Sequence, residues 1–172
     1  GAGGGALPAF LHAALPRVVV DAVELSNEVC AVAREYFGLG AAEATGRLRL
    51  HEDCAFAWLE RTAPASLDLI VVDLESDSLA LAAPGMPLAP PAQALEPSFI
   101  ALARSKLTPR GILAFNTLGT ADAIESMAEG AIGACVYADA PGDSRGVAFD
   151  DTLQRMLFTG PLLDEAPPPT KE

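Results

Sequence analysis

Along this chain the apolar residues switch repeatedly between two periods, near-continuous β-branched runs and stretches that repeat every three to four positions, so strands and helices are expected to alternate. After an opening run of glycines, Leu7, Phe10, Leu11 and Ala14 recur at helical spacing, with Pro8 in the first turn, where a missing N–H costs nothing. RVVVDAVEL (residues 17–25) reads as a buried strand. Ser26 or Asn27 then caps a helix in which Val29, Val32, Tyr36 and Phe37 share a face, closed by Gly38. RLRLH (47–51) predicts a short strand, CAFAWLERT (54–62) a helix, and LDLIVVDL (67–74) a strand buried on both faces.

The rest of the chain is less regular. ESDSLALAAPGMPLAPPAQALEP (75–97) is a long connector rich in Pro and Ala, and connectors of that length in compact domains commonly carry function. EPSFIALARSKL (96–107) predicts a helix, TPRG (108–111) a turn, ILAFNTL (112–118) a strand, and TADAIESMAEGAIG (120–133) a weak helix. ACVYADAP and LQRMLFTGP read as two strands joined by a Gly-containing polar segment too short for a crossover helix, so they should pair antiparallel. The expected architecture is therefore α/β, a doubly wound and mostly parallel sheet with a terminal antiparallel pair, over residues 1–161. Residues 162–172 are expected to form a disordered, Pro-rich tail.

Composition narrows the possibilities. A chain of 172 residues suits one domain, and no stretch approaches the roughly 20 apolar residues that span a bilayer, although 51% of the residues are hydrophobic. The net charge of −12 disfavours nucleic acid and anionic lipid while allowing a basic protein partner. Cys30, Cys54 and Cys135 are odd in number and far apart, which argues for thiols in a reducing, intracellular and most simply cytoplasmic compartment, and against a disulfide framework or a zinc site. His12 and His51 fit no metal-binding spacing, so no metal is expected.

Three places can carry chemistry. In GAGGGA, Gly1, Gly3 and Gly5 allow a tight turn and a close backbone approach to a ligand, with a helix N-terminus behind them. Glu24 ends the next strand about 20 residues on, where a carboxylate can accept both hydroxyls of a ribose. HEDCAFAWL places an acid between a short strand and a helix, the position at which several nucleoside-binding α/β folds hold adenine. In LIVVDLESD, Asp73 falls at the carboxyl end of a buried strand, the ligand side of open parallel sheets, and Glu75 and Asp77 follow. Such acids can orient a cationic amine or take its proton.

GAGGGALPAFLH, VVVDAVEL, LDLIVVDLES and PSFIALARSKLTPRGILAFN together resemble the spermidine-synthase-like branch of the S-adenosylmethionine-dependent methyltransferases, over residues 1–118 and more loosely to 161. The resemblance implies a Rossmann-like class I fold with S-adenosylmethionine as cofactor and methyl donor. Gly1, Gly3 and Gly5 would face the methionine part of the cofactor, and Glu24, followed by Leu25, its ribose. Asp53 or Cys54 would stand at the adenine, since an ungapped match from His51 to Leu59 puts the family's Asp on Cys54 and its Gly on Asp53. Asp73, with Glu75, would hold the acceptor amine, a lysine or an N-terminus of a protein substrate, and a homodimer is compatible with the reading. Ser26 stands where the family usually has Asp. Gly4 stands where aminopropyltransferases of the branch carry an Asp for the cationic aminopropyl group, which favours methyl transfer over polyamine synthesis. A non-catalytic structural or interaction subunit and a nicotinamide-dependent oxidoreductase are the remaining alternatives. The glycine turn also needs a strand feeding it, central in such a sheet and covered on both faces, so the sequence is expected to be an incomplete stretch of a longer protein.

Overall fold

The computed structural model describes residues 1–75, 87–129, 136–139 and 152–159. The middle of the long connector, Asp77, Cys135 and the expected tail lie outside the described residues. The chain divides into two compact units, Gly1–Arg61 and Thr62–Glu172.

The first unit contains α1 (Ala6–Ala14), β1 (Val20–Glu24), α2 (Asn27–Tyr36), α3 (Leu39–Glu43), β2 (Leu48–Glu52) and α4 (Ala55–Arg61). β1 and β2 pair in parallel, with Val20 opposite Leu48 and Glu24 opposite Glu52. This register stacks Val20 and Ala22 with Leu48 and Leu50 on one face, where they form a core with Cys30, Ala33 and the fully buried Leu39. Burial pushes the Cys30 thiol above its usual range. The opposite face of the pair is polar: Asp21 accepts from Arg49 (3.3 Å) and pairs with His51 Nε2 (2.8 Å), whose ring lies 5.3 Å from that of Trp58.

Ser26 is the N-cap of α2, its Oγ accepting from the Val29 N–H (3.2 Å). The face shared by Val29, Val32, Tyr36 and Phe37 points to solvent, whereas Cys30 and Ala33 pack inward. Small side chains let the helix approach the strands closely, which the larger residues would prevent. The short α3 was not expected from the sequence. It exists because Gly38, at φ 79°, both ends α2 and turns the chain so that Leu39 enters the core. Arg34 fastens this region by donating to Glu43 (2.8 Å), Glu52 and the Leu50 carbonyl (2.9 Å).

The second unit holds β3 (Leu67–Val72), a short 3-10 turn (Ala92–Leu95), α5 (Pro97–Lys106), β4 (Leu107–Thr120), α6 (Ala121–Met127), β5 (Val136–Asp139) and β6 (Thr152–Thr159). Its sheet runs β3-β4-β6-β5, with β3 and β4 parallel, β6 antiparallel to β4, and β5 antiparallel to β6. The expected terminal antiparallel pair is thus present. TPRG (108–111) falls inside the 14-residue β4 but keeps its turn character as a tight bulge: pairing steps from Leu67–Leu107 to Leu69–Ile112, and a Cβ at Gly111 would lie 2.8 Å from Leu107 Cβ. One sequence expectation needs correcting. LDLIVVDL is not buried on both faces: only Val72 is buried and Leu69 is 44% exposed, because β4 is the only strand paired with β3 among the described residues. Leu113, Ala114, Phe115 and Leu157 form the centre of the sheet and are covered by Phe99, Ile100 and Ala103 of α5 and by Ala123 and Ile124. The fully buried hydroxyls find partners, Thr117 donating to the Arg155 carbonyl (2.7 Å) and Thr159 accepting from Arg104 (3.0 Å).

Candidate functional site

The glycine turn is held in the shape that its residue types allow. Gly3 has φ 50° and Gly5 φ 81°, and the Gly5 N–H closes a turn on the Ala2 carbonyl (2.8 Å). Gly5 then serves as the N-cap of α1. A Cβ at Gly5 would lie 2.2 Å from Leu39 Cδ1, so both the backbone angle and the packing demand glycine there. Gly1 is exposed and occupies the start of the turn.

Glu24 lies against this turn and holds it by hydrogen bonds. Oε2 accepts from the Ala2 N–H (3.0 Å) and the Gly3 N–H (2.9 Å), and Oε1 from the Ser26 N–H (3.1 Å). A carboxylate offers about four acceptor sites, so one, on Oε1, remains open while the turn stays closed. Partial burial alone would raise the carboxyl pKa, but the three N–H donors outweigh it and hold the group below its ordinary range. Leu25, next in the chain, is 75% exposed.

Asp53 follows β2, and its backbone N–H donates to the Glu24 carbonyl (2.9 Å), which brings the second predicted position beside the first. The side chain, however, is engaged locally. Asp53 Oδ1 accepts from the Cys54 N–H (2.8 Å) and Oδ2 pairs with Arg61 at the far end of α4. Cys54 is a free, partly buried thiol whose backbone N–H is thereby occupied. Glu52, the other acid of this stretch, is paired with Arg34.

In the second unit, Asp73 stands one residue beyond β3, half-buried, with Oδ1 accepting from Asn116 Nδ2 (2.7 Å). Glu75 is exposed, and no polar partner within the described residues holds its side chain. Sequence reasoning missed Asn116. Its signal was a single amide within the apolar run ILAF–N–TL, level with Asp73 on the neighbouring strand. Among the described residues there is no group of three or more His, Cys, Asp or Glu that could hold a metal, and no helix long and apolar enough to cross a membrane.

A glycine turn capped by a strand-end acid, on parallel α/β units that finish in an antiparallel pair, defines a class of protein. The chain belongs to the class I S-adenosylmethionine-dependent methyltransferases and has their Rossmann-like fold. No family model matches the sequence. It is 32% identical over 121 residues to the human eEF1A lysine and N-terminal methyltransferase, a match that covers 67% of this chain and 16% of that protein. It is 31% identical over 118 residues, with the same coverage, to the Drosophila melanogaster homologue. The chain therefore spans about a sixth of the length of these curated relatives. Among solved structures it resembles human methyltransferase-like protein 13 in complex with SAH, with TM-score 0.74, 25% identity, and coverage of 93% of this chain and 68% of that one. A probable spermidine synthase from Corynebacterium glutamicum shares the fold, with TM-score 0.70 and 20% identity, covering 93% of this chain and 53% of that one.

Proposed function

We propose that this chain is the cofactor-binding part of an S-adenosylmethionine-dependent methyltransferase that acts on a protein amine, a lysine or an N-terminus. The observation that carries the reading is the glycine turn whose N–H groups and Glu24 meet at one point, because it leaves an ionised acceptor where a ribose would sit. The names of the similar proteins support the acceptor class, and the net charge of −12 suits a basic protein surface. The free Cys30 and Cys54 suit a reducing, cytoplasmic setting.

The residues present fit the cofactor. Gly3 and Gly5 hold the turn open to a close ligand, Glu24 has one acceptor site left for a ribose hydroxyl, and Asp53, being paired with Arg61, leaves adenine recognition to the backbone and apolar neighbours. When bound, S-adenosylmethionine supplies an electrophilic methyl group, taken by an amine lone pair as the carbon–sulfur electron pair returns to sulfur. Asp73 attracts the incoming ammonium and accepts one of its protons, which leaves that lone pair exposed. The protonated carboxyl later releases the proton to water. Positioning supplies most of the remaining rate enhancement.

Gly4 separates this reading from aminopropyl transfer. A Cβ at Gly4 would meet the Phe37 ring at 3.9 Å, an ordinary contact, so glycine is not forced there by a clash at Cβ. A second reading, a methyltransferase-like subunit without activity, draws support from the engagement of Glu24 and Asp53 with protein partners. Calorimetry with S-adenosylmethionine on the full-length protein separates the two: heat of binding that weakens in Glu24→Ala supports the enzyme, and no heat at millimolar cofactor refutes it.

A further inference from the structure

We propose that Asn116 is a positioning residue that fixes the carboxylate of Asp73 for the acceptor amine, an inference that rests on the function proposed above. Asp73 sits just past the paired run of β3, at the strand's carboxyl end, and Asn116 is the residue after Phe115, the last parallel partner of that run. The geometry gives a short bond, Asn116 Nδ2 to Asp73 Oδ1, 2.7 Å. An ionised carboxylate only accepts, so the amide must present its NH2 side, which fixes the orientation of both groups. Asp73 Oδ2 receives no hydrogen bond from any described residue and is left for a substrate ammonium.

The amide is well suited to this task. Asn116 lies in the middle of the β4–β6 ladder opposite Met156, between Phe115 and Thr117, both fully buried. A donor carried on a central strand between two locked side chains is held more closely than one on a loop. It is also neutral. An arginine in its place would cancel the charge of Asp73 and compete for the oxygen that the amine needs, as Arg34 and Arg61 do for Glu52 and Asp53. The same strand anchors the far end of the long connector: the Leu88 and Ala89 N–H groups donate to the Leu118 carbonyl (2.7 and 3.1 Å), and Pro87 lies against Gly119. One stretch of β4 therefore sets both the acid and the return of the connector.

The test uses the full-length protein, labelled S-adenosylmethionine and recombinant eEF1A as acceptor. Asn116→Leu, close in volume, is expected to lower kcat by about 10- to 100-fold, the scale of a misplaced reacting group, with cofactor affinity within about twofold of wild type. The exchange Asp73→Asn/Asn116→Asp keeps an amide–carboxylate bond, and is expected to restore the melting temperature without restoring turnover. Unchanged turnover in Asn116→Leu overturns the inference, and so does a loss of turnover that only follows a loss of folding and is fully rescued by the exchange. Wild-type protein without methyl transfer refutes the underlying function instead, so the two failures are distinct.

Discussion

Replacing Gly5 by alanine tests whether the turn is glycine for packing, for backbone angle, or for both. At φ 81° a side chain incurs the left-handed penalty of about 1–2 kcal/mol. The added Cβ would also fall 2.2, 2.5 and 2.9 Å from Cδ1, Cδ2 and Cγ of Leu39, which is fully buried, and forcing a methyl into a filled core costs about 1–3 kcal/mol. The expected loss is about 2–5 kcal/mol, a large share of the 5–15 kcal/mol that a typical domain possesses. Gly3→Ala supplies the control. Gly3 has φ 50° with nothing within 4 Å of its Cβ position, so only the backbone term of about 1–2 kcal/mol applies. With a urea slope near 2 kcal/mol/M, the unfolding midpoint falls by about 1–2.5 M for Gly5→Ala and by about 0.5–1 M for Gly3→Ala. Leu39→Ala removes all three clashing atoms, so in that background Gly5→Ala should cost no more than Gly3→Ala, a coupling of about 1–3 kcal/mol. Equal shifts for the two glycines, or additivity with Leu39→Ala to within about 0.5 kcal/mol, would refute the packing argument.

Glu24→Gln removes acceptor sites from beneath the Ala2 and Gly3 N–H groups, and is expected to cost about 1–3 kcal/mol in urea unfolding and to weaken cofactor binding in calorimetry. The carboxyl pKa values of Glu24 and Glu43 are both lowered on folding, Glu24 by N–H donors that outweigh burial and Glu43 first by Arg34; their stabilisation is therefore present above the unfolded value near 4.5 and lost as pH falls through the folded values. Melting temperatures measured from pH 6 to pH 3 should drop along that limb, and less so in Glu24→Gln/Glu43→Gln. Asp53→Ala should lower stability by about 1–2 kcal/mol, a surface ion pair worth less than about 1 kcal/mol plus the hydrogen bond from the Cys54 N–H, and leave cofactor affinity within about twofold; a tenfold loss would place Asp53 at the adenine. Gly119→Ala puts a Cβ 3.0 Å from Pro87 Cα and is expected to cost about 1–3 kcal/mol by thermal melt through packing alone, whereas Gly46→Ala, at φ 76° with nothing within 4 Å of its Cβ, should cost about 1–2 kcal/mol through the backbone alone.

The fold was legible where one residue type dominates a local decision. β-branched runs marked β1 and β3, Ser26 marked the start of α2, and Pro97 the start of α5. The sequence misled where distant partners decide. TPRG has turn composition and does turn, but pairing on both sides of it, Leu67 with Leu107 and Leu69 with Ile112, makes it a bulge within β4 rather than a loop before the strand. Gly111 is accommodated there because a Cβ would meet Leu107 Cβ at 2.8 Å. The apolar stripe of α2 was visible, but not which side would pack. Cys30 and Ala33 won because close approach to Leu39 and the strands favours small side chains over the aromatic ones, a choice fixed by tertiary distance rather than periodicity.

The acids at the strand ends of the two units show the same limit at finer scale. Glu24, Glu52, Asp53 and Asp73 all stand at or just beyond strand ends and look equivalent in sequence, but their partners divide them into two kinds. Glu52 and Asp53 are paired with Arg34 and Arg61, whose positive charges cancel theirs and whose N–H groups occupy their oxygens. Among the described residues, the hydrogen bonds to Glu24 and Asp73 come from neutral donors, backbone N–H groups in one case and the Asn116 amide in the other. A neutral donor orients a carboxylate without discharging it, so these two remain net negative centres with an acceptor site to spare. A ribose hydroxyl needs such an acceptor and an ammonium needs such a charge. The glycine turn and the buried β4 strand therefore contribute more than shape: each supplies neutral hydrogen-bond donors that fix an acid while leaving it available for a ligand.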